Sequence, residues 1–208
     1  MGLHSMMNQD QYHASQSEKN PKPDPSVGWQ GVTKATPLKE FPPEAPNKTE
    51  AQDVLRQVEA NDPAAVSVNL NNVLIKEDVA IAIFAALESN NTLRELSMAN
   101  CMLSDAAGVR LASALEVNKT LEKVNLESNN ITSQTLIKIF EAINVHQVVK
   151  DIKASNQHSQ FLGNRVEMAI TKAIENNKVI LKVGLHLQFG DCRNRVAVQL
   201  QKNLDRLR

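Results

Sequence analysis

Five copies of one six-residue phrase limit what this chain can become. They read AVSVNL, LRELSM, LEKVNL, VKDIKA and ILKVGL, and begin at Ala65, Leu93, Leu121, Val149 and Ile180. Three successive intervals are 28 residues and the fourth is 31, so the chain from Ala65 to Gln188 is a stack of like units with one short insertion. Apolar residues hold the first, fourth and sixth places of each phrase, as in Leu121, Val124 and Leu126. The latter two have period two and share one face of a short strand. A polar turn follows, then apolar residues three and four apart. In the second unit these are Val109, Leu111, Ala112 and Leu115, and in the third Ile131, Leu136, Ile139, Phe140 and Ile143. That spacing predicts a helix. A lone strand, turn and helix cannot bury their own apolar stripes, whereas copies set side by side share one interior.

The resulting fold class is α/β: a right-handed solenoid of leucine-rich-repeat type, with a parallel sheet on one side, helices on the other and helical caps at both ends. A first cap helix is expected over 49–60. Thr49 and Gln52 have capping-box spacing, Val54, Leu55 and Val58 line one face, and Asp62 and Pro63 stop it. Five repeat strands fall within 65–188. A closing helix is expected over 193–208, with Val196, Leu200, Leu204 and Leu207 as its stripe and Arg193, Arg195, Lys202, Arg206 and Arg208 elsewhere. It serves either as a second cap or as a basic amphipathic helix offered to a partner, and the two roles are compatible. Residues 1–48 hold seven of the eight prolines and no apolar period, which predicts a disordered arm joined to a domain at 49–208. Trp29 lies in that arm, as a docking residue or an ordinary linker side chain.

The turns suggest their own chemistry. Ser104 and Asp105, like Thr132 and Ser133, precede helical patterns and suit the N-cap. Asn90, Asn118 and Asn177, with His146 in the fourth unit, sit where a left-handed residue would close each helix. The insertion falls after Ala154, in SNQHSQFLGNRVEMAI, where Gly163 permits a tight turn and Asn164 caps a helix from Arg165 to Glu175. Cys101 is expected as a buried turn residue and Cys192 in a loop.

Lysine plus arginine and aspartate plus glutamate number 23 each, so no net field draws the chain to nucleic acid or to a membrane. The distribution is uneven. Ten acidic and five basic residues lie between Thr49 and Thr120, against one acidic and five basic between Arg193 and Arg208. No apolar run reaches the length of a membrane span, and the opening residues lack a signal-peptide core, which gives a cytoplasmic expectation. The two cysteines suit neither a disulfide framework nor a metal site. His186, Asp191 and Cys192 are close in sequence but nothing in the pattern aims one at another, and phosphate-binding glycine motifs are absent. Glu77 and Asp78 suit a helix N-terminus. A non-enzyme without cofactor or metal is expected.

The strings VSVNLNN, LEKVNLESNNIT, ASNQHSQFLGNRVEMAI and GLHLQFGDCR resemble the carboxy-terminal half of the tropomodulins and leiomodins over about Thr49 to Arg208. The fourth-unit string is the most specific, because repeat packing alone does not require it. The resemblance implies a cytoplasmic, cytoskeletal protein that binds actin and caps the slow-growing, pointed end of the filament by steric block. It implies an actin site in the repeat domain that does not depend on tropomyosin, assisted by the closing helix. Tropomyosin would bind a family region expected to be missing here, and the stop at Arg208 favours the tropomodulin branch.

The loops after the strands and the final helix are the expected actin-binding surface. Asn129, Asn130, Gln157, Ser159, Gln160, Asn164 and Arg165 would supply hydrogen bonds, and Arg193, Arg195, Lys202 and Arg206 would meet acidic actin surface. Each of these residues alone is also explained as solvated loop or surface charge. A monomer is expected. The repeats by themselves equally suit an adaptor or inhibitor holding a globular protein other than actin, or an activator of a small GTPase.

Overall fold

The computed structural model describes residues 46–158 and 162–208. Helix and strand alternate throughout them: α1 (Ala51–Glu59), β1 (Ser67–Asn69), α2 (Glu77–Ala86), β2 (Glu95–Ser97), α3 (Asp105–Leu115), β3 (Lys123–Asn125), α4 (Ser133–His146), β4 (Asp151–Lys153), α5 (Asn164–Asn176), β5 (Lys182–Gly184) and α6 (Gly190–Asp205). The strands form one parallel sheet in chain order, and its register carries the repeat period: Val68 faces Leu96, Leu96 faces Val124, Val124 faces Ile152 and Ile152 faces Val183. Each helix packs on the next. The arm, with Trp29, lies outside the described residues.

The central residue of β1 to β4 points into the core, while its neighbours face outward. Phe84, Leu111, Leu136, Phe140 and Ile170 meet these side chains from the helix layer, all fully or nearly fully buried. Val109 is instead 38 % exposed. The inner face of α3 is set by Gly108, Leu111, Ala112 and Leu115, and a Cβ on Gly108 would come within 2.6 Å of Thr135 Cγ2 on α4. In β5, Val183 is only partly buried, whereas Val68 of the opposite edge strand is buried.

Several expected caps are replaced by bonds to the neighbouring repeat. Glu50, not Thr49, stands at the N-cap of α1, and no side chain caps it. Asn47 takes the Thr49 N–H at 3.0 Å and donates to Asn69 O and Asn71 O, each at 3.0 Å, which fastens the approach to α1 against the end of β1. Ser104 does cap α3, accepting from Ala107 N–H at 3.4 Å. Thr132 occupies the N-cap of α4 without a side-chain bond, and its own N–H reaches Asp105 Oδ1 at 2.7 Å. Asn164 is the first residue of α5 rather than its cap, which is Gly163 at φ 77°.

Asn90, Asn118 and Asn177 are not left-handed, although Asn61 after α1 is, at φ 51°. That conformation recurs in the turns after β1 to β4 at Asn72, Asn100, Ser128 and Asn156, at φ 54–61°, with Met102 a second such residue after β2. In the fourth unit α4 runs on through His146 and is closed by Gln147 at φ 52°. The insertion lies between β4 and α5, where the connection 154–163 is three residues longer than 126–132 one unit earlier.

Candidate functional site

Two buried polar seams cross the repeats, and they decide which side chains remain for a partner. The first follows the strands. Cys101, Asn129 and Gln157 occupy one repeat position and are 0 %, 2 % and 4 % exposed. Asn129 donates to Met98 O at 2.8 Å and Leu126 O at 2.9 Å, and its Oδ1 takes the N–H groups of Cys101 and Leu103 at 3.0 Å each. Gln157 donates to Leu126 O at 2.8 Å and accepts from Ile131 N–H at 3.2 Å. Cys101 donates its thiol to Leu70 O at 3.0 Å, and burial pushes that thiol up to about 11. The turn backbones have no ladder partners of their own, so these side chains satisfy them. Asn129 and Gln157 are therefore used up inside the repeats, contrary to their expected place on a contact surface. The 28-residue spacing from Cys101 was the available signal.

The second seam runs before the strands. Asn118 donates to Leu87 O at 2.7 Å and Asn90 O at 3.0 Å, while its Oδ1 takes the N–H groups of Thr120 and Leu121. Asn90 and Asn177 do the same for their own strands. Asn177 serves β5, the last strand among the described residues, and α6 supplies the amide for the next place in the seam. Asn203 donates to Asn177 O at 3.0 Å and Ile180 O at 2.8 Å, and Gln199 donates to Asn177 O at 2.9 Å. The closing helix completes the seam as a sixth unit would.

The other end of α6 is anchored by Glu167 of α5, which is fully buried and takes the N–H groups of Gln188 and Phe189 at 2.9 and 3.0 Å. Phe189, at the N-cap, has no capping group of its own, so a carboxylate from the preceding helix fills that place. Arg193 clasps the same turn through Leu187 O at 2.9 Å and Gln188 O at 2.6 Å. Arg195 makes a forked pair with Glu175 at 2.9 and 2.6 Å and reaches Asp191 at 3.3 Å. This bond to Arg195 holds the Glu175 carboxyl below its ordinary range, and Arg195 is raised in turn by Glu175 and Asp191. Nothing in the sequence pattern pointed to Glu167, Gln199 or Asn203, which are polar residues on what a helical wheel treats as ordinary surface.

Accordingly α6 begins at Gly190, three residues before its expected start, and contains Cys192, which is buried with Sγ 3.5 Å from Met168 Sδ rather than in a loop. Its inner face is Cys192, Val196, Gln199 and Asn203. The expected leucine stripe turns away from the core as it descends: Val196 is buried and Leu200 partly buried, but Leu204 is 41 % and Leu207 68 % exposed. The reason is the rotation set by the two amides, which reach backbone carbonyls that a leucine could not satisfy.

The remaining expected contact residues divide between two ends of the helix layer. Asn130 is exposed, its N–H bonded to Leu103 O at 2.9 Å, and Asn164 and Arg165 are exposed on the first turn of α5. With Arg193 they lie on the rim that follows the strands. There a cleft of ≈ 420 Å³ opens between the connections after β4 and β5, lined by Leu136, His158, Leu162, Leu185, His186 and Gln188 among others. Lys202 and Arg206 lie on the last turns of α6, at the opposite rim, where Arg206 donates to Asn203 Oδ1 at 2.7 Å. Ser159 and Gln160 lie outside the described residues. Among the described residues no cluster of three metal-binding side chains exists, and no helix is long and apolar enough to cross a membrane.

The profile of the TMOD/LMOD leucine-rich domain matches residues 47–206. A tropomodulin of Caenorhabditis elegans is 30 % identical over the whole chain, which spans 53 % of that protein. Leiomodin-2 of Gallus gallus is 32 % identical over 78 % of the chain, which spans 29 % of that protein. The chain thus covers about half, or less, of the length of these relatives. A solved C. elegans tropomodulin C-terminal domain superposes with a TM-score of 0.74 at 29 % identity, over 76 % of this chain and 96 % of that one. Leiomodin-1 actin-binding site 2 superposes with a TM-score of 0.73 at 30 % identity, over 78 % and 93 %. The profile spans the repeats and their closing helix, and the chain belongs to the tropomodulin and leiomodin family, whose leucine-rich domain it carries.

Proposed function

We propose that this domain binds actin and, as a rigid monomeric body laid over the pointed end of a filament, blocks subunit addition and loss there. One observation carries the reading: α6 turns amides inward and leucines outward. A helix serving only to close the core would bury its last leucine, yet Leu204 is exposed, as is Leu207 just past the end of α6, beside Lys202 and Arg206. Such a basic, apolar outer face suits docking on an acidic protein surface. The likeness to a leiomodin segment described as an actin-binding site supports actin as that surface. The mechanism needs no chemistry, only stiffness and a surface that two neighbouring subunits meet together.

Pointed-end elongation of gelsolin-capped filaments, followed with pyrene-actin, tests this. The chain should slow elongation to a plateau at saturation, and no change at any concentration would refute direct capping. Replacing Leu207 should matter most, since fully burying a leucine is worth about 1.5–3 kcal/mol, roughly tenfold or more in affinity. Leu204→Ser with Leu207→Ser should shift the dose curve at least that far without changing the melting curve.

A further inference from the structure

The repeats act as controls for one another, because a residue needed only for folding recurs at the same position in each. Leu74, Met102, Asn130 and His158 are such a set, each in the turn between a strand and the next helix. Asn130 and His158 show that this position does not need an apolar side chain. Leu74 and Met102 are nonetheless apolar, and they are 80 % and 57 % exposed. Met102 is held at φ 60°, a conformation that asparagine adopts more readily than methionine.

The two turns are stitched together, with Asn72 N–H on Ala99 O at 2.9 Å and the Asn100 amide on Asn72 Oδ1 at 3.0 Å. Neighbouring strands stand about 5 Å apart, close to the roughly 5–6 Å between residues three or four apart on a helix. Carboxylates flank the pair. Glu77 and Asp78 open α2 and Asp105 opens α3, with Lys76 the nearby cation. This is the sign opposite to that of the closing helix.

We propose that the turns carrying Leu74 and Met102 form a second docking surface, which takes a helical segment of a partner protein bearing two apolar residues one turn apart among lysines or arginines. Its charge makes it complementary to a basic partner, unlike the α6 face assigned above to actin. Leu74 and Met102 stand four and three repeat steps from α6 along the chain, and the Asn130 amide borders the surface, 4.0 Å from Met102 Sδ.

The test uses the full 208-residue chain with ¹³C-labelled methionine methyls. The probe is a synthetic 14-residue alanine-rich peptide, stapled as a helix on its outer face, with leucines at i and i+4 and lysines flanking them, and the control carries glutamate in place of lysine. The lysine peptide should shift the Met102 methyl saturably while the glutamate peptide does not. Leu74→Asn with Met102→Asn, which installs the side chain of the following repeat and so keeps the fold, should weaken peptide binding at least tenfold by calorimetry. The same variant should cosediment with actin filaments as the parent does. An unmoved Met102 methyl, or equal affinity for the variant, overturns the proposal. Loss of actin cosedimentation in the variant also overturns it, because these turns would then belong to the actin surface. Failure of the parent itself to cosediment would refute the actin reading and leave the peptide result standing.

Discussion

The solenoid is closed at its two ends in opposite ways. At the first end α1 covers the core with Val54 and Val58, 3 % and 0 % exposed, in the manner of any amphipathic helix. At the last end α6 places two amides, a thiol and a single valine inward, and it is fixed by Glu167 at its start and Asn203 near its finish. Apolar burial has little directional preference, so the inner face of α1 is placed only loosely, and direction comes from bonds at its ends, with the Asn90 amide on Val58 O at 2.9 Å and the Asn91 N–H on Asn61 Oδ1 at 2.8 Å. Hydrogen bonds to particular carbonyls define one rotation and one register. The contrast teaches that the closing helix is oriented rather than merely attached, and its orientation is what puts Leu204 and Leu207 outside.

The comparison can be broken most severely at the apolar cap. Val58→Asp places a carboxylate with no partner where no water reaches, and should cost about 4 kcal/mol or more. Urea unfolding should show the loss, and an unchanged midpoint would contradict the burial of α1.

Asn203→Leu puts the polar cap to the same question. It leaves the carbonyls of Asn177 and Ile180 with fewer partners and should cost about 2–3 kcal/mol. Hydrogen exchange should quicken in α6 while the amides of β1 to β3 stay protected. Glu167→Gln keeps one acceptor for the Gln188 and Phe189 N–H groups and should produce the same pattern at about half the size. If either variant gains stability instead, α6 docks by area and not by its amides.

The smallest expected effect sharpens the picture at the surface. Glu175 and Arg195 are each about one-third exposed, so solvent screening leaves their pair a small contribution. Because the folded Glu175 carboxyl lies below its ordinary value of 4.5, the contribution is present above that pH and disappears as pH falls through the lowered folded value. Protection factors in α6, taken relative to the intrinsic exchange rate at each pH, should therefore fall on acidification below about pH 4.5, and Glu175→Gln should remove that slope. A parent and variant with superimposable acid profiles would assign the acid sensitivity elsewhere.

The architecture was largely legible. Leu96, Val124 and Ile152 announce their strands by period two and their stacking by equal spacing, and all three are buried where expected. Helical spacing located α3 and α4 equally well, with Val109 the exception. Polar residues were far less legible. Asn129 and Asn130 are adjacent in the chain and chemically identical, yet one is buried on five backbone groups and the other exposed.

The repeat, the order of strands and helices and the apolar core were set by the sequence alone, because each follows from local period and side-chain type, while the family was signalled by the resemblance of particular strings, above all the one after Ala154. Tertiary structure alone decided which asparagines and glutamines are consumed within the seams, how α6 is rotated and which leucines face solvent. The physical reason is the position of acceptors. A buried amide is committed by carbonyls about one repeat away, and where those carbonyls lie is known only once the units have stacked.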